Sequence, residues 1–215
     1  MIGILCPSAF EYRALRSLKF SKKAVSLRLS GMGKVRVLYA CHLLRLRHPK
    51  LKAILLVGFA GGLTSDLKVG DLIEPGLFVE YDYDARPFER YPHVIKKSGP
   101  RSQGVRLFKE ARDAVMLTQD RFLKENPFRG NPKSALVSGK KKPLACDMES
   151  YALAYFCENS KIKYSAVKLI SDVADAQADH DFLKACRALA PKFRKTVLEA
   201  LCRMQSVTKI SAGLP

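Results

Sequence analysis

Ala53-Ile54-Leu55-Leu56-Val57 is an unbroken apolar run that ends in Gly58-Phe59-Ala60-Gly61-Gly62. A run with no solvent face reads as a strand covered on both sides, which is the situation of strands in parallel sheets. The glycines behind it allow close backbone approach at the strand's carboxyl end. Ile2–Cys6 is a second short apolar run, residues 24–29 alternate, and residues 164–170 read as another strand. Between them Val37, Cys41 and Leu44 mark one face of a helix over 34–47, after the tight turn Ser30-Gly31-Met32-Gly33-Lys34. Leu153, Phe156 and Cys157 fall at helical spacing between Glu149 and Glu158, and a long helix is expected over 180–206. Residues 71–79 read as a strand interrupted by Pro75 and Gly76. Residues 82–104 read as a loop and 124–133 as a turn. Strands alternating with helices predict an α/β fold: a single domain over 1–206, with a central mixed, mostly parallel twisted sheet flanked by helices. Residues 207–215 are expected to be a frayed C-terminal tail. There is no internal repeat and no linker.

Composition narrows the function classes. The 215 residues are 47% hydrophobic and 27% charged, as in ordinary globular domains. No apolar run approaches the ~20 residues of a membrane span. The N-terminus has no basic leader, so a cytoplasmic protein without a membrane partner is expected. Six cysteines without a C-x-x-C pair, and four scattered histidines, suit reduced buried thiols and no metal site. The net charge of +18 invites a nucleic-acid reading. The cations are spread along the sequence, however. The one dense run, Lys140-Lys141-Lys142, lies between Gly139 and Pro143 as an exposed loop would, and no nucleic-acid motif accompanies it.

In sheets of this type ligands sit beyond the carboxyl ends of the strands. That rule points to Cys6–Glu11, Gly31–Lys34, Gly58–Gly62 and Ser171–Asp175. Glu11, Glu149, Asp172 and Asp175 are acids at strand or helix ends. Such acids can converge on one crevice, where one protonates a leaving base and another takes a proton from water. Taken singly, each also reads as a helix cap or a solvated loop end.

Five segments together resemble the nucleoside phosphorylase/nucleosidase superfamily, and most of all the 5′-methylthioadenosine/S-adenosylhomocysteine nucleosidases. They are IGILCPSAFE (2–11), SGMGKV (30–35), GFAGGL with LKVGDLI (58–63 and 67–73), ACDMESYALAYFC (145–157) and KLISDVAD (168–175). The resemblance implies hydrolysis of the N-glycosidic bond of a 5′-modified purine nucleoside. Asp172 matches the acid that protonates purine N7, and Glu11 the carboxylate that activates water. Glu149 matches the residue that holds the ribose hydroxyls. Met148 would lie beneath the sugar, and Met32 in the glycine turn joins the binding set. Phe122 resembles the aromatic that stacks on the purine, with Leu123 offering its backbone to the base edge. Phe182 resembles an aromatic of the 5′ pocket. For Phe122 and Phe182 core packing is the competing reading. No metal or organic cofactor is implied, and a homodimer is.

The chain departs from the family pattern at four positions. Lys168 stands where an arginine near the water is usual, keeping the charge without the bidentate fork, and with Phe59 it is expected in the substrate-binding set. Asp147 replaces a glutamate, Phe59 a small polar residue, and Ser8 a methionine of the thioalkyl pocket. These departures bear on the substrate more than on the reaction. They fit a 5′-substituent bulkier or more polar than methylthio, as in futalosine and aminodeoxyfutalosine of one menaquinone route, which superfamily relatives cleave. The aspartate of Ser171-Asp172 resembles that of adenine-releasing members. The alternatives are a purine nucleoside phosphorylase, a degenerate nucleoside-binding protein that keeps the fold without turnover, and the nucleic-acid binder argued against above.

Overall fold

The computed structural model describes residues 1–97, 99, 101–126 and 143–209. Lys140–Lys142 and most of 124–133 lie outside the described residues.

The ten-residue strand β3 (Ala53–Gly62), buried throughout, is the hub. One edge of its first half pairs in parallel with β1 (Ile2–Cys6), which pairs in parallel with β2 (Val25–Leu29) at the sheet edge. Its other edge pairs in parallel with the buried strand β9 (Lys163–Asp172) along nearly the whole length. The register shifts between Ala60 and Gly61, where the strand reaches the glycines. Gly61 and Gly62 then pair antiparallel with β8 (Leu144–Asp147). From β8 the sheet continues through β7 (Val115–Thr118) and β5 (Leu77–Glu80) to β6 (His93–Lys96). β4 (Leu72–Ile73) pairs antiparallel with β9. The sheet is therefore mixed, and the neighbouring strands β2, β1, β3 and β9 are all parallel.

Helices cover both faces because alternate residues of the buried strands point opposite ways. Ile54 and Leu56 join Val37, Cys41 and Leu44 of α2 (Lys34–Arg47) and Leu153 and Cys157 of α3 (Ser150–Ser160). Ala53, Leu55 and Val57 join Leu15 of α1 (Ala9–Leu15) and Phe193, Val197 and Leu201 of α5 (Ala190–Thr208). Each large side chain fully withdrawn from water in these layers stabilises the fold by about 1.5–3 kcal/mol. α1 starts with a capping box: Ser8 Oγ accepts from the Glu11 backbone N–H, and the Glu11 carboxylate accepts from Ser8 N–H.

Four sequence expectations change. The strand expected over 71–79 is two strands, β4 and β5, in different parts of the sheet, because Pro75 cannot donate to a ladder. The loop expected over 82–104 contains β6. The long helix of 180–206 is two, α4 (Ala178–Ala188) and α5, parted at Leu189 with Pro191 in the first turn of α5. Helix α5 runs through Thr208, into the segment expected to be a tail; residues 210–215 lie outside the described residues. All six cysteines are free, five of them buried.

Candidate active site

A cavity of about 360 Å³ opens at the carboxyl ends of the parallel strands. Glu11 enters it from the first turn of α1. Phe59, Ala60 and Gly61 of β3 form one wall, Asp147 ends β8 with Met148 and Glu149 just beyond it, and Ser171 and Asp172 end β9. Met32, Phe122, Leu123 and Phe182 also line it. The four strand-end segments singled out in the sequence therefore meet at one place, with the exception of Asp175, which is absent from the wall.

Glu11 is buried beside the glycine strand. Its Oε2 accepts from Ser8 N–H at 2.6 Å and its Oε1 from Phe59 N–H at 3.0 Å. A Cβ on Gly58 would lie 2.4 Å from Glu11 Oε1, so only glycine admits the carboxylate there. The capping reading and the catalytic one are compatible, because a carboxylate offers about four lone-pair sites and the backbone occupies two. Burial raises the Glu11 carboxyl above its ordinary value, against the opposing pull of Lys168 and of its hydrogen bonds.

Asp172 ends β9 beside Gly61 of β3, where a Cβ on that glycine would lie 3.0 Å from Asp172 Oδ1. Its Oδ2 accepts from Ser171 Oγ at 2.6 Å and its Oδ1 from Ala174 N–H at 3.0 Å. Burial again raises it, and the two hydrogen bonds only partly offset that. Two buried carboxyl groups thus stand beside one glycine-rich strand end within one cavity, where one can act as acid and the other as base.

Glu149 precedes α3 without capping it; its Oε1 accepts from Gly33 N–H at 3.1 Å. Gly33 sits at φ 101°, a left-handed conformation that suits glycine, and this turns the N–H toward the carboxylate. Burial, helped by Asp147 and Glu11 and opposed by Lys168 and the Gly33 N–H, brings Glu149 up to about 7.

Lys168 does not line the cavity, contrary to its expected contact with substrate. It is fully buried behind the wall, with Nζ 3.0 Å from Asp147 Oδ2 and 3.4 Å from Glu149 Oε2. Burial disfavours its charge, but Asp147, Glu149 and Glu11 outweigh that and hold the ammonium above its ordinary value. Asp147 also accepts from Thr118 Oγ1 and Ser150 N–H. The two departures at 147 and 168 are partners in one ion pair.

Phe59 stacks on Phe193 at 5.3 Å and meets Phe182 edge-on at 6.0 Å. Phe182 in turn meets Phe122 at 6.0 Å. Both Phe122 and Phe182 line the cavity while packing on each other, so the core-packing reading and the binding reading describe the same rings. Ser8 lines the cavity with its hydroxyl engaged in the capping box.

Sequence reasoning did not single out Gln119, Arg121, Cys146, Asp179 or Leu183, which also line the cavity. Gln119 and Cys146 belong to β7, β8 and their ends, strands too short to show a period. Asp179 lies in the first turn of α4 and pairs with Lys124 at 2.5 Å. Among the described residues no group of three or more His, Cys, Asp or Glu side chains could hold a metal ion. Among the described residues, likewise, no helix is long and apolar enough to cross a membrane.

Comparison with known proteins follows this geometry. A 5′-methylthioadenosine/S-adenosylhomocysteine nucleosidase of Buchnera aphidicola is 31% identical over 203 residues, covering 86% of this chain and 84% of that protein. The futalosine hydrolase of Helicobacter pylori superimposes with a TM-score of 0.75 at 22% identity, over 93% of this chain and 96% of that one. A 5′-methylthioadenosine/S-adenosylhomocysteine nucleosidase from S. pneumoniae with a transition-state inhibitor does so with a TM-score of 0.75 at 20% identity, over 94% and 99%. The family model of the phosphorylase superfamily matches residues 8–203, and the chain belongs to that superfamily.

Proposed function

We propose that this protein hydrolyses the N-glycosidic bond of a 5′-modified purine nucleoside. The observation that carries the reading is the pair of buried carboxyl groups, Glu11 and Asp172, that reach one cavity beside the glycine end of β3. Asp172, protonated, gives its proton to purine N7. The electron pair of the bond between the sugar's anomeric carbon and the base leaves with the base. Water attacks that carbon from the far side, and Glu11 takes its proton. Glu149 holds the ribose hydroxyls, with Met148 and Met32 against the sugar. Phe122 stacks on the base, Leu123 offers its backbone to the base edge, and Phe182 lines the 5′ end. Lys168 acts through Asp147 and Glu149, as a positioning residue. Wall contacts from Arg121 and Asp179 favour a 5′-substituent more polar than methylthio. The Buchnera relative and the Helicobacter neighbour support methylthioadenosine, S-adenosylhomocysteine or futalosine as the substrate class.

Phosphorolysis is the second reading, and one contact disfavours it. Lys34, the cation of the glycine turn, is 3.0 Å from Glu80 and 2.6 Å from Asp82, so it is already neutralised. A phosphate would also meet Glu11. The degenerate binding protein is disfavoured by the intact Lys168–Asp147 pair. Met32, Val35, Leu38 and Tyr39, in and after the glycine turn, and Tyr155 of the adjoining α3 are exposed, which supports a homodimer closing near the site. Sedimentation at several concentrations tests that; a monomer throughout contradicts it.

The test of the function is chromatographic base release from methylthioadenosine, S-adenosylhomocysteine, aminodeoxyfutalosine, futalosine and inosine, with and without phosphate. Release from at least one of the first four in phosphate-free buffer is expected. Release only with phosphate establishes the phosphorylase instead. Saturable nucleoside binding without release establishes the binding protein.

A further inference from the structure

No carboxylate occurs between Glu11 and Asp66, and that stretch carries twelve Lys and Arg residues. Dispersed in sequence, many of them gather in the fold. Ile2 pairs with both Val25 and Ala53, and Ala53 pairs with Lys163. The N-terminal ends of β2, β1, β3 and β9 therefore stand side by side, about 14 Å across at the usual strand spacing of ~4.8 Å. Lys22 and Lys23 lead into β2, Lys50 and Lys52 into β3, and Lys161 into β9. The Met1 amino group leads into β1. Helix α2 returns from the carboxyl ends of the strands, so its last turn delivers Arg45 and Arg47 to this same end.

Backbone contacts make this end one surface. Lys52 N–H donates to Met1 O at 3.0 Å and Lys163 N–H to Lys52 O at 3.2 Å. Arg45 Nη1 donates to Ser160 O at 2.9 Å, tying the end of α2 to the end of α3. The five lysines are exposed, and no ion pair among the described residues neutralises them. Glu158, in the last turns of α3, is engaged by Ser102 Oγ, Gln103 N–H and the Tyr164 hydroxyl. Burial and then the charge of Lys52 hold the Met1 amino group below its ordinary value, as expected where cations crowd. The catalytic carboxylates lie at the opposite ends of the strands.

We propose that this end of the sheet is a docking surface for the phosphate backbone of nucleic acid, bound without regard to sequence. Such binding needs cations matched to phosphates and no base-reading element. An anionic bilayer would meet the same charge. Interfacial binding, however, uses several inserted Trp, Phe or Leu side chains, and here Leu46 is a single exposed one between Arg45 and Arg47. The proposal is independent of the nucleosidase reading.

The experiment measures binding of the whole protein to a fluorescent duplex of mixed sequence by anisotropy, across a salt series. One variant carries Lys22→Gln, Lys23→Gln, Lys50→Gln and Lys52→Gln. A charge-matched control carries Lys68→Gln, Arg90→Gln, Lys184→Gln and Arg187→Gln, on segments leaving the carboxyl ends of β3, β5 and β9. Each phosphate contact contributes about −0.9 to the slope of log K against log salt. The first variant is expected to flatten that slope by about 3 to 4, and the control to leave it close to wild type. Equal loss in both variants overturns the proposal, because general charge then explains the binding. Absence of duplex binding at low salt also overturns it. Binding to vesicles containing phosphatidylglycerol without binding to duplex assigns the surface to lipid and overturns it as well. Far-UV circular dichroism of both variants confirms that the fold is kept.

Discussion

Replacing Lys168 with Met removes one charge from the most deeply buried ionic cluster of the site and keeps most of the side-chain volume. The three side chains involved, Lys168, Asp147 and Glu149, are 0%, 1% and 5% exposed. Removing one partner of a buried pair costs about 3–5 kcal/mol, because the remaining charge stays desolvated. Asp147 keeps donors from Thr118 and Ser150, which places the loss near the lower end, about 3 kcal/mol. Glu149 adds a pH-dependent part. In the native protein it stands at about 7, against an ordinary 4.5, so the folded state holds an extra proton between those values. Such a group costs stability as pH rises through that window, by about 1.4 kcal/mol per unit, and costs nothing more above its folded value. Without Lys168 the folded value moves higher, so the variant keeps losing stability above pH 7 where the wild type levels off. Lys168 itself titrates above its ordinary 10.5 and contributes no slope in this range. The chain has no tryptophan, so urea unfolding is best followed by far-UV circular dichroism. At pH 6 the variant should be about 3 kcal/mol less stable. Between pH 7 and 9 the deficit should grow by up to about 1.4 kcal/mol per unit. Adding Asp147→Asn should recover most of the pH 6 deficit. A variant as stable as wild type at both ends of the range would refute the ion-pair account.

Gly58→Ala should displace Glu11 from Phe59 N–H, because its Cβ would lie 2.4 Å from Glu11 Oε1. Base release should fall at least tenfold and stability by about 1–3 kcal/mol, read by chromatography and urea unfolding; unchanged turnover would place the reacting water elsewhere. Glu149→Gln keeps an acceptor for Gly33 N–H but loses the charge, so KM should rise and kcat fall together; unchanged values would remove it from the ribose site. Burial holds Asp172 above its ordinary 3.8, so the alkaline limb of kcat/KM should lie above that pH, and a limb below it would contradict the assignment.

The sequence was most legible where one physical signal acted alone. The continuous apolar run of β3 and the helical face of α2, Val37, Cys41 and Leu44, both stand where the pattern places them. The strand-end rule located the cavity, since Glu11 comes soon after β1 while Gly58–Gly62 and Asp172 end the buried strands β3 and β9. The four-residue strands β7 and β8 were not legible, because so few residues show no period, and Gln119 and Cys146 were missed with them. The break at Leu189 was hidden because α4 and α5 keep compatible apolar faces on either side of it. The charge offered the hardest case. A dispersed set of cations along the chain becomes one surface only through the parallel register of β2, β1, β3 and β9, which no local pattern encodes. Lys168 is legible as a cation where the family has an arginine, but its pairing with Asp147 and Glu149 is a property of the packing.

The account stands on Asp172 as the acid that releases the base. The most direct measurement compares the rate of adenine release from methylthioadenosine by the wild type and by Asp172→Asn in phosphate-free buffer, with far-UV circular dichroism as the check on folding. The account predicts release by the wild type and a fall of about 10²–10⁴-fold in a folded variant. A folded variant that releases adenine at the wild-type rate would contradict it.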